Sequence, residues 1–338
     1  MKLPLFAALV CALSLQGAGT NRNGDPNNPT GTHGLVLIDK LGAHIRFFDP
    51  ATFREISSFE TEKAPHDLAF SPDHSIVYIP IYGDGVYGRN PHPGHLIAVV
   101  DLASRKLTGT IDVSPYQAPH GIQVDRNGTL YVTCDLSRKL LVIDPQKRSI
   151  LAAIDTEGTS HWAAVLPDGR KAYAANKNDR PFVSVIDLKA RKMIGRIPAP
   201  NGTEGITVSP DGKYVVAVDH VKPELIVIDP STDAVLFNLA LEGSPRGEFK
   251  PRFTPDGSKL LVCSLSGQVN IINVDDLHGK QVVLQVGKDP MGFAISPDGK
   301  TALVANHGDG TVSVIDLAQG RVVSSFKGGT GIETLSYY

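Results

Sequence analysis

The chain has 338 residues, 41% of them hydrophobic and 20% charged, with 33 Lys+Arg against 35 Asp+Glu. This near-neutral balance supplies no basic stripe for a nucleic-acid backbone and no polybasic run for a membrane surface, so we expect neither partner. Because the chain has 33 glycines and 24 prolines but one tryptophan and three methionines, turns outnumber long helices and the composition favours an all-β protein.

The first segment has the pattern of a secretory signal peptide. Lys2 precedes an apolar run, Leu3–Leu15, and small residues follow at positions 17–19. The run is shorter than the ~20 residues that a membrane-spanning helix needs. We expect residues 1–19 to be a signal peptide and residues 20–32, which lack large apolar side chains, to be a flexible leader. The folded domain is then 33–338, in a periplasmic or secreted protein with no membrane span after cleavage.

Two cysteines, Cys134 and Cys263, remain after this cleavage. No CxxC or CxxCH motif is present, which argues against a zinc ribbon and against covalently attached haem. No phosphate-binding loop, dinucleotide fingerprint or Gly-x-Ser-x-Gly elbow is present either. We therefore expect no haem and no nucleotide.

Two sequence marks recur along the rest of the chain. A turn of the form Ser-Pro-Asp-Gly or a close variant occurs six times, at 71–74, 125–128, 166–169, 209–212, 254–257 and 296–299. A polar residue ends a strand-like apolar run seven times, at Asp49, Asp101, Asp144, Asp187, Asp229, Asn273 and Asp316. Proline fixes φ, aspartate bonds its own backbone and glycine takes positive φ, so these turns are typical of hairpins.

Between the marks lie alternating runs such as 311–316, whose period of two predicts half-buried strands. Units of about 40 to 45 residues with four strands are typical of a β-propeller. The C-terminal segment 331–337 is an innermost strand without successors, and residues 34–59 supply three strands without an innermost one. We predict a seven-bladed β-propeller with four-stranded blades, closed by pairing of the N- and C-terminal strands, which removes exposed edges.

The segment 296–306, followed by 311–316, resembles the repeat of the YVTN-repeat propellers, a family of exported proteins. The resemblance covers nearly everything after residue 33 and implies the propeller fold. It implies little about function, because one fold hosts many activities. Blade 1 departs from the repeat, with Ile81 in place of the expected asparagine and with inserted residues.

Candidate site residues come from the position just before the first strand of each blade. In our alignment this position holds His66, His120, His161, Glu204, Arg246, Met291 and Ile332. Because innermost strands stand side by side, these side chains converge on one rim of the channel. Three imidazoles and a carboxylate suit a divalent transition metal, so we predict a metal site from His66, His120, His161 and Glu204, with Arg246 as a ligand-binding neighbour. The alternative is a structural histidine copied by duplication.

The turn Pro-His120-Gly-Ile is similar to one in virginiamycin B lyase-type propellers. Gluconolactonase-type propellers have a metal-binding asparagine at the corresponding point. Both resemblances cover a few residues and imply that this position is suited to ligands.

The end of each second strand returns to the same rim. These ends are Asp39, Ile81, Cys134, Asn176, Asp219, Ser264 and Asn306. Asp219 and the adjacent His220 are the candidate catalytic residues, and the alternative is that they form turns. Cys134 is a candidate thiolate ligand, or else a small buried hydrophobic residue.

Blade 1 carries an insertion, 82–95, rich in glycine and aromatic residues. It lies on the histidine side of the ring, so it is either a lid over the channel mouth or a solvated loop. As a lid, it would add Tyr82, His92 and His95 to the ligand-binding residues.

These observations lead to three hypotheses. The first is an exported, monomeric propeller that binds a small molecule or protein partner at its channel mouth, with a divalent metal. The second is a metal-dependent lyase, isomerase or lactone hydrolase in which Asp219 or His220 is the general base. The third is a purely structural module.

Overall fold

The computed structural model describes residues 34–87, 89–177, 181–244 and 250–338. The predicted signal peptide and leader lie outside these ranges, and so does Arg246. Export of the chain therefore stays a prediction.

The described chain forms seven antiparallel sheets of four strands each, which are the blades of a propeller. Blade 1 contains β4 (Ala69–Phe70), β5 (Ile76–Val86), β6 (Arg89–Asp101) and β7 (Lys106–Asp112). Blade 2 contains β8 (Pro119–Val124), β9 (Leu130–Cys134), β10 (Lys139–Asp144) and β11 (Ser149–Asp155). Blade 3 contains β12 (Ser160–Val165), β13 (Lys171–Asn176), β14 (Phe182–Asp187) and β15 (Lys192–Pro198).

The next three blades repeat this order. Blade 4 contains β16 (Thr203–Val208), β17 (Val215–Asp219), β18 (Glu224–Asp229) and β19 (Ala234–Ala240). Blade 5 contains β20 (Lys250–Phe253), β21 (Lys259–Ser264), β22 (Gln268–Asn273) and β23 (Val282–Gln285). Blade 6 contains β24 (Pro290–Ile295), β25 (Thr301–Asn306), β26 (Thr311–Asp316) and β27 (Arg321–Lys327).

Blade 7 joins the two ends of the described chain. It contains β28 (Ile332–Tyr337), β1 (Leu35–Asp39), β2 (His44–Phe48) and β3 (Glu55–Glu60). Strand β28 pairs with β1 from Leu35 opposite Tyr337 to Asp39 opposite Ile332. This arrangement confirms the predicted seven blades and the predicted closure of the ring.

The recurring Pro-Asp-Gly turns form by the predicted chemistry. In blade 4, the Ser209 hydroxyl donates to Oδ1 of Asp211 at 2.7 Å, and the Gly212 N–H donates to the Ser209 carbonyl at 2.8 Å. Gly212 adopts a φ of 71°, which glycine reaches without steric cost. These local bonds set the register between first and second strands.

The core lies between adjacent blades, and this corrects the expectation of half-buried strands. In β26, Val312 and Ile315 are fully buried, and Ser313 between them is 4% exposed. Both faces of this strand are covered because each blade packs against a neighbour on either side. Half-burial is found in outer strands such as β7.

The described chain contains one short 3₁₀-helix, Val274–Asp276. None of its helices is long and apolar enough to cross a membrane.

Candidate functional site

A β-bulge at the start of the innermost strand aims the predicted histidines into the channel mouth. In blade 2, Pro119 pairs with Cys134 and Ile122 with Val132, so His120 and the next residue lie opposite one residue of β9. The same shift occurs in β12 and β16, where it places His161 and Glu204. Such bulges redirect a side chain out of the regular alternation of a strand.

The pairing of β28 corrects our alignment of blade 7. Ile332 pairs with Asp39 and Thr334 with Ile38, so Glu333 occupies the bulge position, and the aligned Ile332 does not. Glu333 is 3% exposed and its Oε1 lies 3.3 Å from Nε2 of His66. We call the residues at this position the inner ring, and in the described blades it comprises His66, His120, His161, Glu204, Met291 and Glu333.

The three inner-ring imidazoles are in direct contact with one another. The ring centroids of His66 and His120 are 3.8 Å apart, and those of His120 and His161 are 4.1 Å apart. The three residues are 3%, 0% and 3% exposed. Trp162 packs edge-on against this stack, with its centroid 4.0 Å from that of His161.

This environment keeps the imidazoles neutral. Burial lowers the pKa of His66, His120 and His161 well below the usual value, because the charged form loses its hydration. The ammonium group of Lys40 lowers all three pKa values further. The site therefore presents neutral imidazole nitrogens at neutral pH.

A second set of side chains surrounds the inner ring. We call them the outer ring: the residues that directly follow Asp39, Ile81, Cys134, Asn176, Asp219, Ser264 and Asn306, namely Lys40, Tyr82, Asp135, Lys177, His220, Leu265 and His307. Tyr82 lies within β5, which the insertion extends, and the other six follow the end of their strand. The positions predicted from the sequence lie one residue earlier in the chain. Six of the seven outer-ring residues have polar or aromatic side chains.

Outer-ring cations pair with inner-ring carboxylates. Nζ of Lys177 lies 2.6 Å from Oε2 of Glu204, and Nζ of Lys40 lies 3.3 Å from Oε2 of Glu333. Nδ1 of His220 lies 2.8 Å from the same Glu204 oxygen. Each buried carboxylate thus has a compensating ammonium group, as buried charge requires.

The blade 1 insertion lies over the imidazoles. It extends β5 and β6 as a hairpin, with Asp84 paired with His92. The Tyr82 hydroxyl donates to Oδ2 of Asp135 in blade 2 at 2.8 Å, and the Tyr87 hydroxyl donates to the Thr159 carbonyl near blade 3 at 2.6 Å. The hairpin thereby bridges three blades.

Both tyrosine rings contact the stack. The Tyr82 centroid lies 5.2 Å from that of His120, and the Tyr87 centroid lies 4.5 Å from that of His161. His92 and His95, predicted as further ligands, are exposed on the hairpin, where they approach Asp84 and Asp112. They point to solvent because the hairpin presents its tyrosines to the channel mouth.

The predicted metal-ligand histidines meet, but as imidazole rings packed against one another at tilts of 44° and 38°. No group of three or more His, Cys, Asp or Glu side chains in the described ranges has an arrangement suited to a metal ion. Glu204 is already bonded to Lys177 and His220. The divalent-metal site stays a prediction.

His120 is the unusual member of the stack. Neither of its ring nitrogens makes a hydrogen bond within the described chain, and the nearby His161 backbone has the smallest of the effects on its pKa. A fully buried polar side chain without a partner is uncommon and costs stability.

The candidate catalytic residues have structural bonds. Oδ1 of Asp219 accepts from the N–H groups of Val221 and Lys222 at 2.8 and 2.7 Å, and Oδ2 accepts from Asn201 at 2.9 Å. His220 is bonded to Glu204. These contacts fit the turn-forming alternative, and a lyase, isomerase or hydrolase activity stays a prediction.

Cys134 is fully buried among apolar side chains of blades 1 and 2. Burial, and to a lesser extent the charge of Asp135, raises the pKa of its thiol. A thiol held in its neutral form is a poor metal ligand, so Cys134 fits the buried-hydrophobe alternative.

Residues 125–254 match the family described as Cytochrome D1 heme domain. The matched segment is less than half of the chain and contains His161 and Glu204 but not His66 or His120. This match overturns our exclusion of haem, which rested on the missing CxxCH motif. That inference was wrong because an axial side chain such as histidine can hold haem iron without a covalent attachment.

Two curated proteins are also similar to this chain, at 24% and 25% identity. One is the probable U3 small nucleolar RNA-associated protein 18 of Schizosaccharomyces pombe, 24% identical over 265 residues, which are 71% of this chain and 49% of that protein. The other is an uncharacterized WD repeat-containing protein of Synechocystis sp., 25% identical over 178 residues, which are 51% of this chain and 49% of that protein. The chain spans about half the length of these relatives.

The fold is similar to a solved structure titled Kuenenia stuttgartiensis Hydrazine Synthase. The TM-score is 0.67 at 22% identity, over 80% of this chain and 89% of that chain. The narrower resemblances to YVTN-repeat, virginiamycin B lyase-type and gluconolactonase-type propellers stay predictions. The seven blades and the likeness to this solved structure show that the chain has the fold of a seven-bladed β-propeller.

Proposed function

We propose that the protein binds a ligand at the channel mouth closed by the β5–β6 hairpin, with His120 as the principal ligand contact and haem as the ligand class. The observation that carries this proposal is the pair of unpartnered ring nitrogens on the fully buried His120. Buried polar atoms in native proteins rarely lack a hydrogen-bond partner, and a ligand would supply the missing one.

The choice of haem rests on donor chemistry and on the partial family match. A neutral imidazole is a common axial ligand of haem iron, and the lowered pKa of His120 keeps it in that form. Lys40 and Lys177 lie beside the imidazoles, but each is paired with a buried carboxylate, so a haem carboxylate would have to share them with Glu333 and Glu204. Bound haem would supply redox or ligand-exchange chemistry at its iron.

The protein's own contribution is to hold the imidazoles neutral, position them and exclude water. The stack is sealed by Tyr82 and Tyr87, so a macrocycle reaches His120 only when the hairpin is displaced. The bonds to be broken are those of the two hydroxyls to Asp135 and to the Thr159 carbonyl.

Titration of the purified protein with haem, followed by the Soret band, tests this function. We expect saturation at one haem per chain in the wild type. His120→Phe removes the nitrogen donors while keeping an aromatic ring among aromatic neighbours, and we expect it to weaken binding at least tenfold. Tyr82→Phe together with Tyr87→Phe removes both hydroxyl bonds and should speed association.

His95→Phe is the matched control, since it changes an exposed histidine on the same hairpin. It should bind haem like the wild type. Wild-type protein without saturable binding, or His120→Phe with unchanged affinity and spectrum, would contradict the proposal. Metal analysis of the same preparation tests the divalent-ion alternative.

A further inference from the structure

The innermost strands contain one layer to which each blade contributes one residue. These residues all pair with equivalent positions of the second strands, and they are Ala69, Gln123, Ala164, Thr207, Arg252, Ala294 and Ser336. All seven lie in the described ranges. Six are small or neutral, and the layer contains no carboxylate, so Arg252 is its single charge.

Arg252 faces a cavity of about 490 Å³ inside the ring. The cavity is also lined by Gln123, Thr207 and Ser336, whose polar side chains belong to the same layer. The small side chains of this layer leave the space around the guanidinium open. At its far end the cavity is lined by Pro210 and Pro255, so it extends toward the turn side of the ring, away from the histidine mouth.

The guanidinium is largely uncommitted. Its Nη1 donates to the Phe293 carbonyl at 3.0 Å, and no carboxylate of the described chain lies within ion-pair distance of it. Its side chain is open to the cavity, yet the surrounding protein lowers its pKa by burial, with Asp67 as the opposing charge. An arginine in such a place has several donors aimed at whatever fills the cavity.

The residues two positions earlier in the innermost strands do not neutralise the charge of Arg252. They include Lys250 and Asp67, which lie 3.4 Å apart and offset one another. Oδ2 of Asp67 also accepts from the Ile122 N–H at 3.2 Å. The described lining of the cavity therefore carries one unbalanced positive charge, that of Arg252.

We infer that the central channel is a binding site for a small oxyanion, held by the Arg252 guanidinium with polar contacts from Gln123, Thr207 and Ser336. A planar fork of N–H donors matches the oxygens of a carboxylate or phosphate group. The cavity walls limit the amount of water that can screen that attraction. The site is reached from the turn side of the ring, and Trp162, which packs against the imidazoles, lies between it and the histidine mouth.

Isothermal titration of the full chain with inorganic phosphate and, separately, with malonate tests this inference. We expect saturable one-site binding of at least one probe in the wild type, with an affinity in the millimolar range or tighter. Arg252→Gln should weaken it at least tenfold, and Arg252→Lys should retain part of it because Lys keeps the charge but loses the fork. The tighter probe distinguishes phosphate-bearing from carboxylate-bearing ligands.

Arg170→Gln is the matched control, because Arg170 is an exposed arginine paired with Asp168 on a turn. It should bind like the wild type. Gln123→Glu adds a carboxylate to the same layer without altering Arg252 and should also weaken binding at least tenfold, so it decides the matter if Arg252→Gln fails to fold. Absent wild-type binding of both probes, or an affinity within twofold of wild type in either weakened variant, would overturn the inference. Haem binding through His120 is untouched by these variants, so the two proposals can fail separately.

Discussion

The three contacting imidazoles make the protein's stability depend on pH. His66, His120 and His161 bind protons near pH 6.5 in the unfolded chain, but their native pKa values are lowered well below that by burial and by Lys40. Protonation therefore favours the unfolded state. Their contribution to stability is complete above pH 6.5 and is lost as the pH falls from there toward the native pKa values.

We expect the free energy of unfolding, measured by urea denaturation between pH 7.5 and 5.5, to fall steeply below pH 6.5. Each histidine that stays neutral contributes a slope of about 1.4 kcal/mol per pH unit. His120→Phe should reduce this slope by the contribution of one histidine, about 1.4 kcal/mol per pH unit. Burial raises the pKa of Asp135 to about 6, and this acts in the opposite direction below that pH. Equal slopes in wild type and variant would contradict the neutral stack.

At the scale of elements, Asp39 at the end of β1 ties the ring closed. Its carboxylate accepts from Arg46 Nε at 2.9 Å and from the backbone N–H groups of Gly42, Thr330 and Gly331 at 2.9 to 3.1 Å. Burial acts to raise the pKa of Asp39, but these hydrogen bonds outweigh it and the pKa is lowered. The segment before β28 is thus held to β1 by side-chain bonds as well as by strand pairing.

Asp39→Ala should cost about 3 kcal/mol in the free energy of unfolding, because it leaves the buried Gly331 N–H and three partly buried donors without their acceptor. Thermal unfolding followed by circular dichroism measures the loss. Asp49→Ala is the control, since Asp49 accepts from Ala51 and Thr52 N–H groups on an exposed turn, and its loss should be clearly smaller. Equal losses would show that Asp39 is an ordinary turn residue.

Some residues of the site could be predicted from the repeat pattern of the strands, and others could not. The alignment found His66, His120, His161 and Glu204, because duplicated blades repeat the bulge at constant spacing. It missed Glu333, since blade 7 is assembled from both chain ends and its register is visible only in the pairing of β28 with β1. Arg252 was missed for a different reason: an arginine in a strand looks solvent-exposed until seven innermost strands surround it.

At the scale of the whole molecule, closure gives the ring its seventh blade. Deleting residues 331–338 removes β28, leaves the β28-facing edge of β1 unpaired, and uncovers the fully buried Leu35 and Leu37, which pack in one cluster with the deleted Leu335. We expect the deletion variant to aggregate, because an open β edge pairs with other chains. Size-exclusion chromatography with light scattering measures this, and a soluble variant of wild-type size and stability would contradict it.

The sequence by itself determined the all-β class, the seven blades, the closing strand and the convergence of three histidines, because turns and alternation are local properties that duplication repeats. Tertiary structure alone decided what those histidines meet. Burial made them neutral, the hairpin laid Tyr82 and Tyr87 over them, and ring closure brought Glu333 beside His66. Such contacts join residues of different blades that are far apart in the sequence, so they cannot be predicted from residue spacing or composition.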